Sequence, residues 1–208
     1  MPDILIAGIA VVDAIARPVD QFPAPGGLRF FENLTISTGG CAINAAIALS
    51  KLGVPCEVAA RVGSDMLGDF VSSELHRHKL STRLLARDED RTTSFSFAAV
   101  GASGERSFLH TTGANAALCL DDIPLDEVRS RKFLFVAGSM LMDAMDGAQT
   151  AELLREAQRA RVATLLDTVF VESAPPSEWQ RRIAPALPHL DYFVPSISEA
   201  RAMSGRDD

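Results

Sequence analysis

Gly39-Gly40-Cys41-Ala42-Ile43-Asn44-Ala45-Ala46, with Gly53 and Gly63 behind it, is the stretch on which the reading of this chain turns. Two glycines in succession let the backbone approach a ligand closely, and the Ala-rich segment after them predicts a helix whose first amides have no partner inside the helix. Such a junction receives hydroxyls or anions. Asn44 falls within the first turn, where its amide both donates and accepts, which suits a polyol better than a simple anion. Gly53, directly after Leu52, is placed to stop the helix with a left-handed cap.

Outward from this junction the pattern alternates. Asp3 to Val12 reads as one continuous buried strand, followed by a helix near Ala42 to Lys51, a strand near Glu57 to Val62 and a helix near Met66 to His78. Further on come a strand at Phe133 to Ala137, a helix at Ala144 to Arg161, and strands at Ala163 to Asp167 and Tyr192 to Val194. Strands and helices taking turns predict an α/β fold, a mainly parallel sheet with helices on both faces. Two stretches break the alternation. Asp13 to Ser37 carries Pro18, Pro23, Pro25 and Gly26-Gly27 before a strand-like Leu28 to Ile36, and Arg91 to Thr112 reads as two strands around Gly101-Ala102-Ser103-Gly104. Their period-two alternation predicts a small, half-exposed second sheet inserted into the main fold.

Composition narrows the function. With 208 residues, 47% apolar and 23% charged, the chain is expected to form one main domain. Twenty basic against 27 acidic residues give a net charge of −7 with no basic cluster, which argues against nucleic-acid binding and for a small substrate. No run approaches the ~20 apolar residues of a membrane span. The apolar start, Met1 to Val12, carries Asp3 and lacks the basic residues of a secretory leader. Cys41, Cys56 and Cys119 show no metal or redox spacing, and three thiols fit a reducing cytoplasm. His76 and His78, two apart on a helix, make a poor metal pair, and His110 and His189 are isolated. Gly-x-Ser-x-Gly, Gly-x-x-x-x-Gly-Lys-Ser/Thr and Gly-x-Gly-x-x-Gly after the first strand are all absent, which disfavours a hydrolase, a P-loop kinase and a dinucleotide enzyme.

Several residues are candidates for chemistry. Asp13 follows the first expected strand at the carboxyl edge, where open parallel sheets bind ligands; it reads either as a carboxylate for sugar hydroxyls or as a turn aspartate. Ser139, after Gly138, and Asp167 end two further strands at that edge. Ser196 and Ser198 are possible starts of the last helix, with Glu199 favouring its positive end. Asp65 in Gly63-Ser64-Asp65-Met66-Leu67-Gly68 is expected to begin a helix rather than to act chemically.

The spacing from Gly39 to Gly63 resembles the first signature of the PfkB (ribokinase-like) carbohydrate kinases. Gly63 to Gly68, Gly104-Glu105-Arg106, Gly113-Ala114-Asn115 and Pro195 to Ala200 are similar to further segments of that family. The resemblance implies a ribokinase-like domain over 1–208, with lid segments at about 14–37 and 91–112 that cover the sugar and form a homodimer contact. It implies ATP-dependent phosphorylation of a sugar or nucleoside-like alcohol with Mg²⁺, and a substrate set of Asp13, Gly39, Gly40, Asn44 and Arg106, to which the strand-end positions of Ser139 and Asp167 add two further candidates. Val11 stands where the family often has a polar residue. Ser196 and Glu199 match the Asn-x-x-Glu segment that organises magnesium and phosphates, Glu199 through water and with serine in place of Asn. The resemblance extends from Asp3 to Arg206, and no segment matches the family's Asp-Thr-x-Gly-Ala-Gly-Asp, whose last Asp activates the substrate hydroxyl. No catalytic residue is therefore assigned, and the chain is expected to lack the catalytic end. The alternatives are a non-catalytic sugar-binding or regulatory module, or a different enzyme on a Rossmann-like sheet. Pentoses, hexoses, ketodeoxy sugar acids and nucleosides remain open as substrates.

Overall fold

Ile4–Gly8 (β1) reads Ile-Leu-Ile-Ala-Gly because both of its faces are covered. The computed structural model describes residues 2–206. In it β1 pairs in parallel with Cys56–Gly63 (β4) on one side and Phe133–Ser139 (β8) on the other. Leu84–Asp88 (β5), a strand the sequence reading did not anticipate, extends the sheet beyond β4. Ala163–Thr168 (β9) and the two-residue Tyr192–Phe193 (β10) extend it beyond β8. The order is β10-β9-β8-β1-β4-β5, all parallel.

Helices Cys41–Lys51 (α1) and Met66–Arg77 (α2) cover one face through Ala42, Ile43, Ala46, Val71 and Leu75. Leu125–Arg129 (α3), Ala148–Arg159 (α4) and Pro176–Ile183 (α5) cover the other through Val128, Leu153, Leu154, Trp179 and Ile183. A last helix, Ile197–Ser204 (α6), follows β10. Two apolar clusters on opposite faces are the consequence of alternating side chains along strands buried on both sides. Gly53 takes φ +75° past the end of α1, and Asp65 caps α2 by accepting from the Gly68 amide at 2.8 Å. The helix expected from Ala144 begins only at Ala148, because Asp146 instead ties a turn by accepting from the amides of Met140 and Met142.

The expected single strand Asp3 to Val12 is two strands. β1 stops at Gly8, and Val11–Arg17 (β2) belongs to a second sheet of order β3-β2-β6-β7, with Asn33–Gly39 (β3), Phe95–Val100 (β6) and Arg106–Thr111 (β7). Apolar periodicity continues through the switch, so hydrophobicity alone does not reveal it. The strand expected over Leu28 to Ile36 starts later and runs into the glycine pair. Ala10, between the sheets, loses its ladder partners, and the fully buried Asn115 replaces them: its Oδ1 accepts from the Ala10 amide at 3.0 Å and its Nδ2 donates to the Ala10 carbonyl at 3.0 Å.

Asn115→Ala leaves two buried backbone groups without partners, each costing about 1–3 kcal/mol. We expect urea unfolding of this variant to show a loss of about 2–4 kcal/mol, with the slope of the transition unchanged. A loss below about 0.5 kcal/mol would mean that water replaces the amide at no cost.

Candidate functional site

Register across the second sheet makes a polar row. β2 pairs with β3 and β6, and β6 with β7, so that Ser37, Asp13, Ser96 and His110 stand abreast on one face. The Ser96 hydroxyl is 2.8 Å from His110 Nδ1. Burial raises the Asp13 carboxyl above its ordinary value, against the pull of the Ser96 hydroxyl and of His110. Burial in turn lowers His110, and the Asp13 charge opposes this. Asp13 is thus inside a strand of the second sheet, not at the end of a main-sheet strand as the sequence suggested. The cause is the switch between sheets at Ile9 and Ala10.

Gly39 ends β3 opposite Val11, and a Cβ there would stand 2.1 Å from Asp13 Oδ2. Only glycine lets the carboxylate lie against the β3 backbone. Gly40, at φ +86° with the Ile9 carbonyl 2.5 Å from where its Cβ would be, turns the chain into α1. The turn brings Asn44 onto the same opening as Asp13, exposed and without a side-chain partner among the described residues. A cavity of about 820 Å³ lies between the second sheet and the carboxyl ends of β1, β8 and β9, and Asp13, Gly40, Asn44, Ser96 and His110 form its polar wall. Leu141, Val169 and Phe170 come from the loops after β8 and β9.

Asp167 and Ser139 lie below this cavity and do not line it. Asp167 Oδ1 accepts from the Gly138 amide at 2.6 Å, while burial and the Glu199 charge raise its carboxyl to about 6. Burial and the same two acids push the Cys41 thiol above them up to about 12. The Ser139 hydroxyl is buried and has no partner among the described residues. Arg106 shares the His110 face of β7 but starts the strand, exposed and beyond the cavity. Ser196 and Glu199 form a reciprocal cap on α6: Glu199 Oε2 accepts from the Ser196 amide at 2.6 Å and from the Thr168 hydroxyl at 3.0 Å.

The fit to a cation or nucleotide follows from these donors. Among the described residues no group of three or more His, Cys, Asp or Glu side chains could hold a metal ion, and Glu199 is 7% exposed with Oε2 already engaged. The described residues thus make no all-protein Mg²⁺ cage, and the sequence holds no Gly-x-x-x-x-Gly-Lys-Ser/Thr cradle for a triphosphate.

Residues 1–208 match the pfkB family of carbohydrate kinases along their whole length. The chain belongs to that family. A potato fructokinase is 28% identical over 126 residues, 59% of this chain and 39% of its own length. Mouse ribokinase is 23% identical over 211 residues, covering 97% of this chain and 59% of its own. A solved Arabidopsis thaliana ribokinase, complexed with ribose and ATP, superposes with a TM-score of 0.82 at 19% identity over 98% of this chain and 63% of that one. The chain therefore spans less than two thirds of the length of these family members, and the structural likeness bears on the ribokinase-like fold.

Ser96, His110, Phe108 and Phe170 were not read as site residues from the sequence. A hairpin centred on Gly101 to Gly104 would have set Ser96 opposite His110, but their placement beside Asp13 needs the β2–β6 pairing.

Asp167 supplies a test by pH. Its folded value, about 6, lies above the ordinary 3.8, so the folded state holds the proton more tightly and stability is lost as pH rises from about 4 to about 6. Asp167→Asn keeps an oxygen for the Gly138 amide and removes the charge. The variant should gain on wild type by about 1–3 kcal/mol across that window and stay level above it. Parallel chemical denaturation at pH 4, 5, 6 and 7 reads the difference, and a flat difference would show that Asp167 ionises normally.

Proposed function

We propose that this chain binds a sugar or related small alcohol as the acceptor for ATP-dependent phosphorylation, within one ribokinase-like domain over 1–208 whose second sheet is a lid. The observation that carries the reading is the Asp13 carboxylate lying against Gly39, with Ser96 and His110 beside it and Gly40 and Asn44 across the same opening. A carboxylate and an amide on facing walls suit vicinal hydroxyls, since the first accepts from two and the second both donates and accepts. The helix start after Gly40 adds unpaired amides.

In this reading Asp13, Gly39, Gly40 and Asn44 hold the alcohol. Asp167 and Ser139 support the floor through Gly138 and Cys41, and Arg106 is a reserve contact at the lid tip. ATP is the phosphoryl donor by family membership and Mg²⁺ its companion, with Ser196 and Glu199 reaching the ion only through water. No transfer step is assigned to them. Phosphoryl transfer depends on positioning and charge stabilisation, and these residues provide the positioning of the acceptor. Three free thiols support a cytoplasmic setting, and among the described residues no helix is long and apolar enough to cross a membrane.

Calorimetric titration with a panel of sugars tests the site. Asp13→Ala is expected to abolish binding while the thermal unfolding midpoint stays within a few degrees. Gly39→Ala should weaken it at least tenfold, because the added methyl displaces the carboxylate. Unchanged affinity in Asp13→Ala would remove Asp13 from the site.

The lid also supports a homodimer. Leu34 and Ile36 on β3 and Leu109 on β7 are 55%, 46% and 61% exposed, and register puts all three on the face opposite the Asp13 row. Sedimentation velocity is expected to show a dimer for the wild type and a monomer for Ile36→Glu. A monomeric wild type at micromolar concentration would refute this.

A further inference from the structure

The polar row on the second sheet fixes where its hydrogens lie. Ser96 on β6 is paired in register with Asp13 on β2 on one side and with His110 on β7 on the other, so its hydroxyl stands between a carboxyl group and an imidazole. That hydroxyl has one hydrogen and donates once. Its oxygen is 2.8 Å from His110 Nδ1, a hydrogen bond whose direction depends on which partner supplies the hydrogen.

Asp13 decides the direction. Burial raises its carboxyl and the Ser96 hydroxyl pulls it back down, as a neighbouring hydroxyl does when its hydrogen points to the ionised form. A charged acceptor holds a hydrogen about twice as strongly as a neutral one, so the Ser96 hydrogen turns to the carboxylate rather than to the ring. The Ser96 oxygen is left to accept, and His110 donates to it from Nδ1. Burial lowers His110 from the ordinary histidine value, so above neutral pH the ring is uncharged and Nε2 keeps its lone pair. Nε2 has no partner among the described residues, and His110 lines the cavity together with Asp13 and Asn44. The other titratable groups on that lining are Glu172 in the loop after β9 and the Cys41 thiol at the start of α1, while Arg106 shares the His110 face of β7 beyond the cavity. Asp13 is the charge among them that bears on His110.

We infer that His110 Nε2 is a substrate contact that accepts from a hydroxyl of the sugar, and that Ser96 positions it by passing the pull of Asp13 through its own hydroxyl to Nδ1. Asp13 and His110 then present acceptors only, which fits hydroxyl donors and disfavours a carbonyl or ether oxygen at the same place. Protonation of the ring replaces the acceptor at Nε2 by a donor. This rests on the polyol-site reading of Asp13, Gly40 and Asn44.

The test has two parts, both on the 208-residue chain. Long-range proton–nitrogen NMR of isotope-labelled protein at pH 7.5, with His110 assigned by its loss in His110→Gln, reads which ring nitrogen carries the hydrogen. The expected result is Nδ1 in the wild type and in Ser96→Thr, which keeps the hydroxyl, and a shift of the hydrogen toward Nε2 in Ser96→Ala. Calorimetric titration with ribose, fructose and glucose between pH 5 and 8 reads the contact. The tightest of the three should bind His110→Leu about three- to tenfold more weakly than wild type, the weight of one hydrogen bond. Wild-type affinity should fall as pH drops below 6.5, the value from which His110 is lowered, and the fall should move to lower pH in His110→Leu, where Asp13 alone remains of the pair. A wild-type ring protonated at Nε2 overturns the inference, as does a tautomer that Ser96→Ala leaves unchanged. Equal affinity and an equal pH profile in wild type and His110→Leu overturn the contact and leave the polyol site standing. Binding of none of the three sugars overturns the polyol site itself and the contact with it.

Discussion

A buried amide holds the two sheets of this protein in register. The chain leaves the parallel sheet at Gly8 and enters the second sheet at Val11, and the backbone of Ala10 between them can belong to neither ladder. Two unpaired backbone groups in the interior would cost several kcal/mol, and the side chain of Asn115 satisfies both. The neighbouring residues tighten the same joint: the Ile9 amide donates to the Ala137 carbonyl at the end of β8, and the Val12 amide to the Ser94 carbonyl at the entrance to β6. Every residue of the candidate site hangs from one side or the other of this joint.

The site's chemistry follows from that geometry. Asp13 belongs to a sheet that stands over the carboxyl ends of β1, β8 and β9, and it faces the helix start that Gly40 opens. Its carboxylate is held sideways against Gly39, so one edge is shielded while the other faces the cavity. Underneath, Asp167 and Glu199 form a second acidic layer, separated from the cavity by the Cys41 thiol and fastened by the Gly138 amide, the Thr168 hydroxyl and the α6 cap. The upper layer is open to a ligand. The lower one is engaged by two backbone amides and the Thr168 hydroxyl.

Membership of the pfkB family fits the glycine-to-helix junction, and the cavity beside that junction carries both polar and apolar walls. Val11 and Cys41 line the cavity next to Asp13 and Asn44, and the exposed Phe108 and Phe170 line its outer part. Apolar lining beside a few convergent polar groups is how small-molecule sites combine affinity with orientation.

The sequence by itself determined the layer architecture, because strands buried on both faces must read as unbroken apolar runs and the helices between them as amphipathic ones. It also determined the Gly39–Asn44 junction and the ends of α1 and α2, since a left-handed cap, a side-chain cap and a glycine turn are local requirements that particular residues meet. Only the tertiary structure decided where the first strand breaks, for the apolar run from Ile4 to Val12 continues across the break and Asn115, which satisfies the backbone there, lies about a hundred residues away in sequence. It alone decided that Asp13 stands beside Ser96 and His110, that Asp167 is drawn to the Gly138 amide and that Glu199 accepts from the Thr168 hydroxyl. Strand register and burial are properties of pairs of segments, and no single segment carries them.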